Sequence, residues 1–224
     1  MGTTPDERDS PVGYAAALPD MPALIGRLEQ ALDRAHGEWA LRGKATQALK
    51  FQIWRLAFEL GVPGLYPLAN GLPKEAGRVA EDALAARSAH LWLGEEQSPF
   101  REFQYDVAWA QFGGEYTEYA SDLQTARHVP PFTRLVLALE SELNPSWPRW
   151  HLLTDLHRLL CARADIRVMV WNRSVIGDGW ELIESRLRAA ESGAEGWWLL
   201  AGWSTDGFEC RSYRGGERQP ADGR

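Results

Sequence analysis

The sequence predicts an α/β protein in which helices flank a mixed central sheet. Hydrophobic residues recur at helical spacing in the first part of the chain, and from about residue 100 they alternate or form continuous runs, as in strands. The 224 residues, 45% apolar and 25% charged, suffice for one fair-sized core. We therefore expect an N-terminal helical region at 21–93 and an α/β core at 94–214, between flexible polar tails at 1–20 and 215–224.

Three helices are predicted in the N-terminal region. Residues 22–41 and 45–60 each place apolar side chains on one stripe, and a glycine follows each segment. A third helix is predicted at 74–90. Glycine and proline are frequent between residues 61 and 73, which predicts a loop. The region is therefore expected to be helical apart from this loop.

The core is expected to alternate strands with helices. Strands are predicted at 102–109, 134–143, 166–172, 196–203 and 208–213, and helices at 150–164 and 179–191. The run 166–172 is apolar almost throughout, as a strand buried on both faces would be. Thr205, Asp206 and Gly207 predict a turn between the last two strands. This order implies a mixed sheet with helices packed on it.

Charge and composition exclude several classes of protein. The net charge of −7 comes from residues 1–148, with 13 basic and 20 acidic side chains, whereas residues 149–224 carry 11 of each. This balance argues against a protein that coats nucleic acid by bulk charge, although a local Arg-lined groove is compatible with it. Cys161 and Cys210 give no disulfide framework, and no apolar stretch near the C-terminus would span a bilayer. With its polar N-terminus, the chain is expected to be cytoplasmic, without a membrane partner.

Three carboxylates fall on predicted strands in apolar surroundings. Glu140 and Glu142 are two positions apart, so they point to one face of their strand, together with Val136 and Ala138. Asp106 is expected in the middle of the first core strand. Crowded, desolvated carboxylates are costly, and a divalent cation with oxygen ligands offsets that cost. If the two strands are neighbours, the three side chains converge on a metal site. The alternative is that each carboxylate simply faces solvent.

These residues carry a resemblance to a known family. An Asp on one strand, an acidic triplet at the end of the next, then a helix and a buried strand resemble the PD-(D/E)xK nuclease superfamily. Its restriction-endonuclease-like fold has a mixed sheet flanked by helices. Asp106 matches the motif Asp, and Glu140 matches the second acidic position. Glu142 stands where the family usually has Lys, as in some similar restriction endonucleases, and Tyr105 replaces the Pro before the Asp.

The resemblance extends to the helix and strand that follow. The stretch DLHRLLCARADIRVMVW is similar to a recurrent pattern in uncharacterised bacterial members, and there Arg158 falls where Lys is common. The family's basic residue is thus expected to have moved to this helix. The similarity covers roughly residues 100–175, and its motif is short and degenerate. An equally good explanation of Arg158 is that it forms a surface ion pair with Asp155, which would contribute little to stability.

What the resemblance implies is phosphodiester hydrolysis. Asp106 and Glu140 would ligate Mg²⁺ or Mn²⁺, helped by the backbone carbonyl of Ser141. Glu142 would orient or deprotonate a water molecule, or hold a second metal, in place of the usual Lys. Arg158 would stabilise the charge that builds on the phosphate.

The implied partner is nucleic acid, with DNA favoured, in restriction or another defence against phage. A homodimer is also implied, since restriction-type cleavage often needs one. Trp147, Arg149 and Trp150 are placed to contact nucleic acid, although hydrophobic anchoring of their loop is the commoner explanation. The rival hypothesis is a catalytically silent nuclease-fold module that binds nucleic acid or a protein. A third is an immunity or regulatory protein whose carboxylates cluster by chance.

Overall fold

The computed structural model describes residues 18–42, 45–62, 64–69, 71, 72, 76, 79, 105–112, 132–144, 146, 149–190 and 195–220. Within these residues the helices are α1 (Met21–Arg42), α2 (Ala45–Glu59), α3 (Arg149–Cys161) and α4 (Gly179–Ala189). The strands are β1 (Leu65–Ala69), β2 (Val107–Phe112), β3 (Phe132–Glu142), β4 (Ala164–Asn172), β5 (Trp197–Ser204), β6 (Gly207–Arg214) and β7 (Glu217–Arg218). Most of the helix predicted at 74–90 lies outside the described residues.

The seven strands form one mixed sheet in the order of the sequence, from β1 to β7. Strands β3, β4 and β5 run parallel, and all other neighbours are antiparallel. Parallel neighbours need a crossover connection, and α3 and α4 provide the two that occur here. The α/β class with a mixed sheet is therefore confirmed. Within the ranges described, no helix combines the length and the apolar character needed to cross a membrane.

Helices cover both faces of the sheet. Helices α1 and α2 pack on one face, and α3 and α4 pack on the other. Strand β4 lies between these two layers: Val168 and Val170 belong to the first core, whereas Met169 and Trp171 belong to the second. All four side chains are buried, which accounts for the continuous apolar run in this segment. The prediction of a buried central strand is confirmed.

Two strands at the edges of the sheet were not predicted. Strand β1 lies within residues 61–73, so the prediction of a loop there was wrong. Pro67 belongs to this strand and lies opposite Trp109. It has no backbone N–H, which is tolerated because one side of an edge strand has no neighbouring strand to bond with. Strand β7 lies in the segment expected to be a tail. It pairs with β6 through two residues only, too few to leave a periodic signal.

A bulge in β3 changes which side chains face α3. Trp109 pairs with Leu137, but the next residue, Ala110, pairs with Leu135, so Val136 is an extra residue in the ladder. Leu135 therefore packs in the core beneath α3, and Val136 packs in the core beneath α1 and α2. The face predicted for Val136, shared with Glu140 and Glu142, was therefore wrong. Beyond Leu137 the strand alternates regularly.

Candidate active site

Asp106 lies in a bend directly before β2, where the middle of a strand was expected. Val107 pairs with Leu139, and continuing this register by one residue places Asp106 beside Glu140. The Asp106 carboxylate accepts a hydrogen bond from the backbone N–H of Ser141, with an N–O distance of 3.0 Å. The side chain thus serves as a hydrogen-bond acceptor for β3 just beyond the point where the β2 ladder ends.

Both carboxylate oxygens of Asp106 are engaged. Oδ2 accepts from the Ser141 amide and, at 2.6 Å, from the Ser141 hydroxyl. Oδ1 is paired with Nζ of Lys50 on α2, also at 2.6 Å. Both members of this ion pair are largely buried. The structure therefore ties Asp106 to the α2 side of the sheet through a lysine that was not among the predicted site residues.

One sequence signal could have drawn attention to Lys50. The chain has three lysines among its 24 basic residues, the others being Lys44 and Lys74. Lys50 lies next to Leu49 and three positions before Ile53, both of them fully buried. Its position thus borders the apolar stripe of α2. Its partner, Asp106, could not be predicted, since that residue lies in a bend more than 50 residues further along the chain.

Glu140 and Glu142 point towards α3, as predicted from their spacing, and they are only 4% and 2% exposed. Oε1 of Glu142 accepts a hydrogen bond from the backbone N–H of Asn144 at 3.2 Å. Within the described part of the chain, Oε1 of Glu140 and Oε2 of Glu142 are buried and accept no hydrogen bond. Each of these two buried carboxyl groups thus has one oxygen without a described hydrogen-bond partner.

Burial dominates the protonation of these two groups. It raises the pKa of Glu140 to about 8, with help from the charges of Asp106 and Asp155, while Arg158 and the Asp106 backbone N–H oppose the rise. Burial likewise raises the pKa of Glu142 to about 7, against the hydrogen bond from Asn144. A desolvated carboxyl group favours its neutral form. Burial therefore favours the neutral form of both carboxyl groups.

Asp155, on α3, adds a fourth carboxyl group that the prediction had left out. Its side chain is buried, and burial raises its pKa despite the charge of Arg158. Nη1 of Arg158 donates to Oδ1 of Asp155 at 3.1 Å and lies 3.7 Å from Oε1 of Glu140. The Asp155–Arg158 pair considered for Arg158 is therefore present, but Asp155 is buried whereas Arg158 is half-exposed. We refer to Asp106, Glu140, Glu142 and Asp155 as the acidic cluster.

The cluster fits a divalent cation only in part. Among the residues described, no group of three or more His, Cys, Asp or Glu side chains has an arrangement that could hold a metal ion. The unpartnered oxygens of Glu140 and Glu142 suit a hard cation. Asp106 would first have to release Lys50. The Ser141 carbonyl as a ligand stays a prediction, whereas its amide and hydroxyl hold Asp106.

The basic and aromatic residues expected near the site lie at the start of α3. Trp150 is 59% exposed, which contradicts hydrophobic anchoring for this side chain. Nη2 of Arg149 pairs with Oδ2 of Asp178 at 2.6 Å, just before α4. Trp147 lies outside the described residues. An exposed indole and a guanidinium thus flank the carboxyl end of β3.

Comparison of the chain with protein-family models, with curated proteins and with solved structures finds no match in any of the three.

Proposed function

We propose that the protein is a divalent-metal-dependent nuclease that hydrolyses phosphodiester bonds in nucleic acid, with DNA as the favoured substrate. The observation that carries the proposal is the register of β2 and β3, which places Asp106 beside Glu140, together with one buried oxygen on each of Glu140 and Glu142 that has no described hydrogen-bond partner. The order β2, β3, α3, β4 around these residues supports membership of the PD-(D/E)xK superfamily and its restriction-endonuclease-like fold.

Glu140 and Asp106 are the side chains that would hold Mg²⁺ or Mn²⁺. A bound cation of this kind polarises the phosphate and lowers the pKa of a bound water molecule. Ser141 fixes the Asp106 carboxylate through its amide and hydroxyl, so the carboxylate would keep its place after Lys50 leaves. Glu140 would bind the cation as a carboxylate, and the positive charge of the cation would offset the cost of burying that carboxylate.

The remaining groups supply proton transfer and positive charge. The pKa of Glu142, about 7, suits a general base that accepts a proton from the attacking water near neutral pH. Arg158, half-exposed and close to Glu140, would stabilise charge on the phosphate. Lys50 is a second cation that could turn from Asp106 to a phosphate oxygen, and it would supply the charge that the family usually places at the position of Glu142.

Cleavage of linear and supercoiled DNA in Mg²⁺ or Mn²⁺ tests the proposal. Asp106→Asn and Glu140→Gln should each lower the rate by about a thousandfold or more, because loss of a metal ligand removes several kcal/mol of transition-state stabilisation. Glu217→Gln, on the exposed strand β7, is the matched control and should cleave like the wild type. Cleavage that continues in EDTA, or in Glu140→Gln, would contradict the mechanism.

A second function is favoured by the state of Asp106. Both of its oxygens are taken by Lys50 and Ser141, and Glu140 and Glu142 are almost fully buried. These features suit a catalytically silent nuclease-fold module that binds nucleic acid or a protein partner. Calorimetric titration with Mn²⁺ distinguishes the two: the nuclease should release heat on binding, and the silent module should not. Cytoplasmic location, a homodimer and a role in restriction or phage defence stay predictions attached to the nuclease.

A further inference from the structure

We propose that the outward side of α3 binds a single strand of nucleic acid and leads it to the acidic cluster. We call this surface the α3 outer face and define it by Arg149, Trp150, Thr154, His157 and Arg158, none of which is buried. The inference deepens the proposed function and rests on it, because it names the form of the substrate that the nuclease would take.

Trp150 is the first observation. Trp150 is 59% exposed, so its indole presents a large aromatic surface to solvent. The indole stacks on His151, with ring centroids 3.7 Å apart and an angle of 25° between the planes. One side of the indole is thus covered by a neighbouring ring. A held aromatic ring with an open side is a stacking platform for a base.

The charges on α3 are the second observation. Its one carboxylate, Asp155, is buried, so the outer face shows no negative charge of its own, although the chain has a net charge of −7. Arg149, His157 and Arg158 are exposed. Arg149 pairs with Asp178, but a guanidinium has five N–H donors, which leaves donors for a phosphate. The surface thus combines an aromatic ring with cations, as single-strand binding sites do.

The spacing along the helix is the third observation. Trp150, Thr154 and Arg158 are four residues apart, so they lie in one line on the helix surface. Eight residues of α-helix measure about 12 Å, which a polymer can bridge and a single small anion cannot. Arg158 ends the line 3.7 Å from Glu140. A strand stacked on Trp150 would therefore reach the acidic cluster with its next phosphates.

The exposed indole also favours a single strand over a duplex. In a duplex the faces of the bases are covered by their neighbours, so an aromatic ring on a protein surface can stack only on an unpaired or end base. In a single strand every base has a free face, and such stacking tolerates any sequence. We therefore expect tighter binding to single strands than to a duplex of equal length.

Binding of labelled oligothymidylate of about 20 nucleotides, longer than common single-strand site sizes, tests this inference. The full chain is titrated in EDTA, so that no cleavage occurs. Trp150→Ala should weaken binding about tenfold, within the range found for loss of one base-stacking contact. Phe132→Ala is the matched control, because Phe132 is 52% exposed but begins β3, about 30 Å from the end that leads to α3. This control should bind like the wild type.

Salt dependence tests the charged part of the surface. Arg149→Gln should weaken binding and lower the slope of log affinity against log salt by about 1, as expected for the loss of one phosphate contact. Trp150→Ala should leave that slope unchanged, because stacking releases no counterion. Circular dichroism of each variant verifies that it is folded. An unchanged slope in Arg149→Gln would contradict the predicted strand position.

Oligouridylate and a duplex of equal length are the two further ligands to test. Comparison of oligouridylate with oligothymidylate reports whether the protein prefers RNA or DNA. Binding of either single strand that depends on Trp150 supports the inference. It is overturned if Trp150→Ala binds like the wild type, if a duplex binds as tightly as a single strand, or if no oligonucleotide binds. If binding depends on Trp150 but the wild type cleaves nothing in Mn²⁺, only the proposed hydrolysis fails. If the wild type cleaves and Trp150→Ala binds and cleaves equally well, only this inference fails.

Discussion

The acidic cluster contrasts with a second group of charged residues on the same face of the sheet. In that group, which we call the Arg211 network, Arg211 donates from Nη1 to Glu184 on α4 at 2.8 Å and from Nη2 to Glu209 at 2.7 Å. Its guanidinium lies 3.8 Å above the ring of Trp180. Tyr213 donates from its hydroxyl to the same oxygen of Glu184. Every charge in this network has a close partner of opposite sign.

The two groups shift the pKa of a glutamate in opposite directions. Burial alone would raise the pKa of Glu184, but the hydrogen bonds from Tyr213 and Arg211 outweigh it and lower the pKa overall. At Glu140 burial prevails, and its pKa rises to about 8. The fold can thus supply partners for a partly buried carboxylate and does so at Glu184. The shortage of partners at Glu140 is the kind of unfavourable arrangement that is typical of functional sites.

The largest effect is expected from Glu140→Gln, as a function of pH. The unfolded group titrates near pH 4.5 and the folded one near pH 8, so between these values folding requires uptake of a proton. Wild-type stability therefore falls as pH rises through this window, and the variant is free of that loss. The variant should gain up to about 5 kcal/mol over the wild type by pH 9, at about 1.4 kcal/mol for each pH unit. Urea unfolding at several pH values measures the gain.

Two additions make this measurement decisive. Glu217→Gln, which removes an exposed carboxylate, should show no comparable gain. Adding Mn²⁺ should flatten the pH dependence of the wild type, because a bound cation would stabilise the ionised form of Glu140. Equal stability of Glu140→Gln and the wild type at pH 5 and pH 9 would remove the contrast with Glu184.

Glu184→Gln should change stability in the opposite direction, by a smaller amount. The substitution leaves Arg211 with a weaker partner and removes a charge-assisted acceptor from Tyr213. We expect a loss of about 2 kcal/mol in the free energy of unfolding at pH 7. Glu181→Gln, exposed on the same helix, should lose about 0.5 kcal/mol or less. A gain in stability for Glu184→Gln would mean that the two groups do not differ.

The parts of the fold that sequence predicts well are those in which burial dictates composition. Strand β4, buried on both faces, was predicted from its apolar run, and α3 was predicted from its leucine stripe. Strand β1 was missed because Pro67 reads as a loop residue, and only its position at the edge of the sheet makes it acceptable. Whether a strand lies at the edge depends on the assembled sheet, so it cannot be predicted from the local sequence pattern.

The site shows the same division between local and long-range information. The common face of Glu140 and Glu142 follows from strand geometry, and the structure places both beneath α3. The pairing of Lys50 with Asp106 joins residues on different elements, and no periodicity reports it. A surface pair between Asp155 and Arg158 does not account for the position of Asp155 between Leu152 and Leu156, on the buried side of α3. Position along the helix was the better guide.

The smallest effect on stability is expected from substitution of Lys50. This residue pairs with one carboxylate oxygen of Asp106, and Ser141 binds the other. Lys50→Gln should cost about 1 kcal/mol at pH 7, since the pair is largely buried and Ser141 still holds Asp106. Arg55→Gln breaks an exposed pair with Glu59 on the same helix and should cost less than about 0.5 kcal/mol.

If Lys50 occupies the place that a cation would take, Mn²⁺ should raise the melting temperature of Lys50→Gln more than that of the wild type. An equal rise in both proteins would show that Lys50 does not compete with the metal, and no rise in either would favour the silent module.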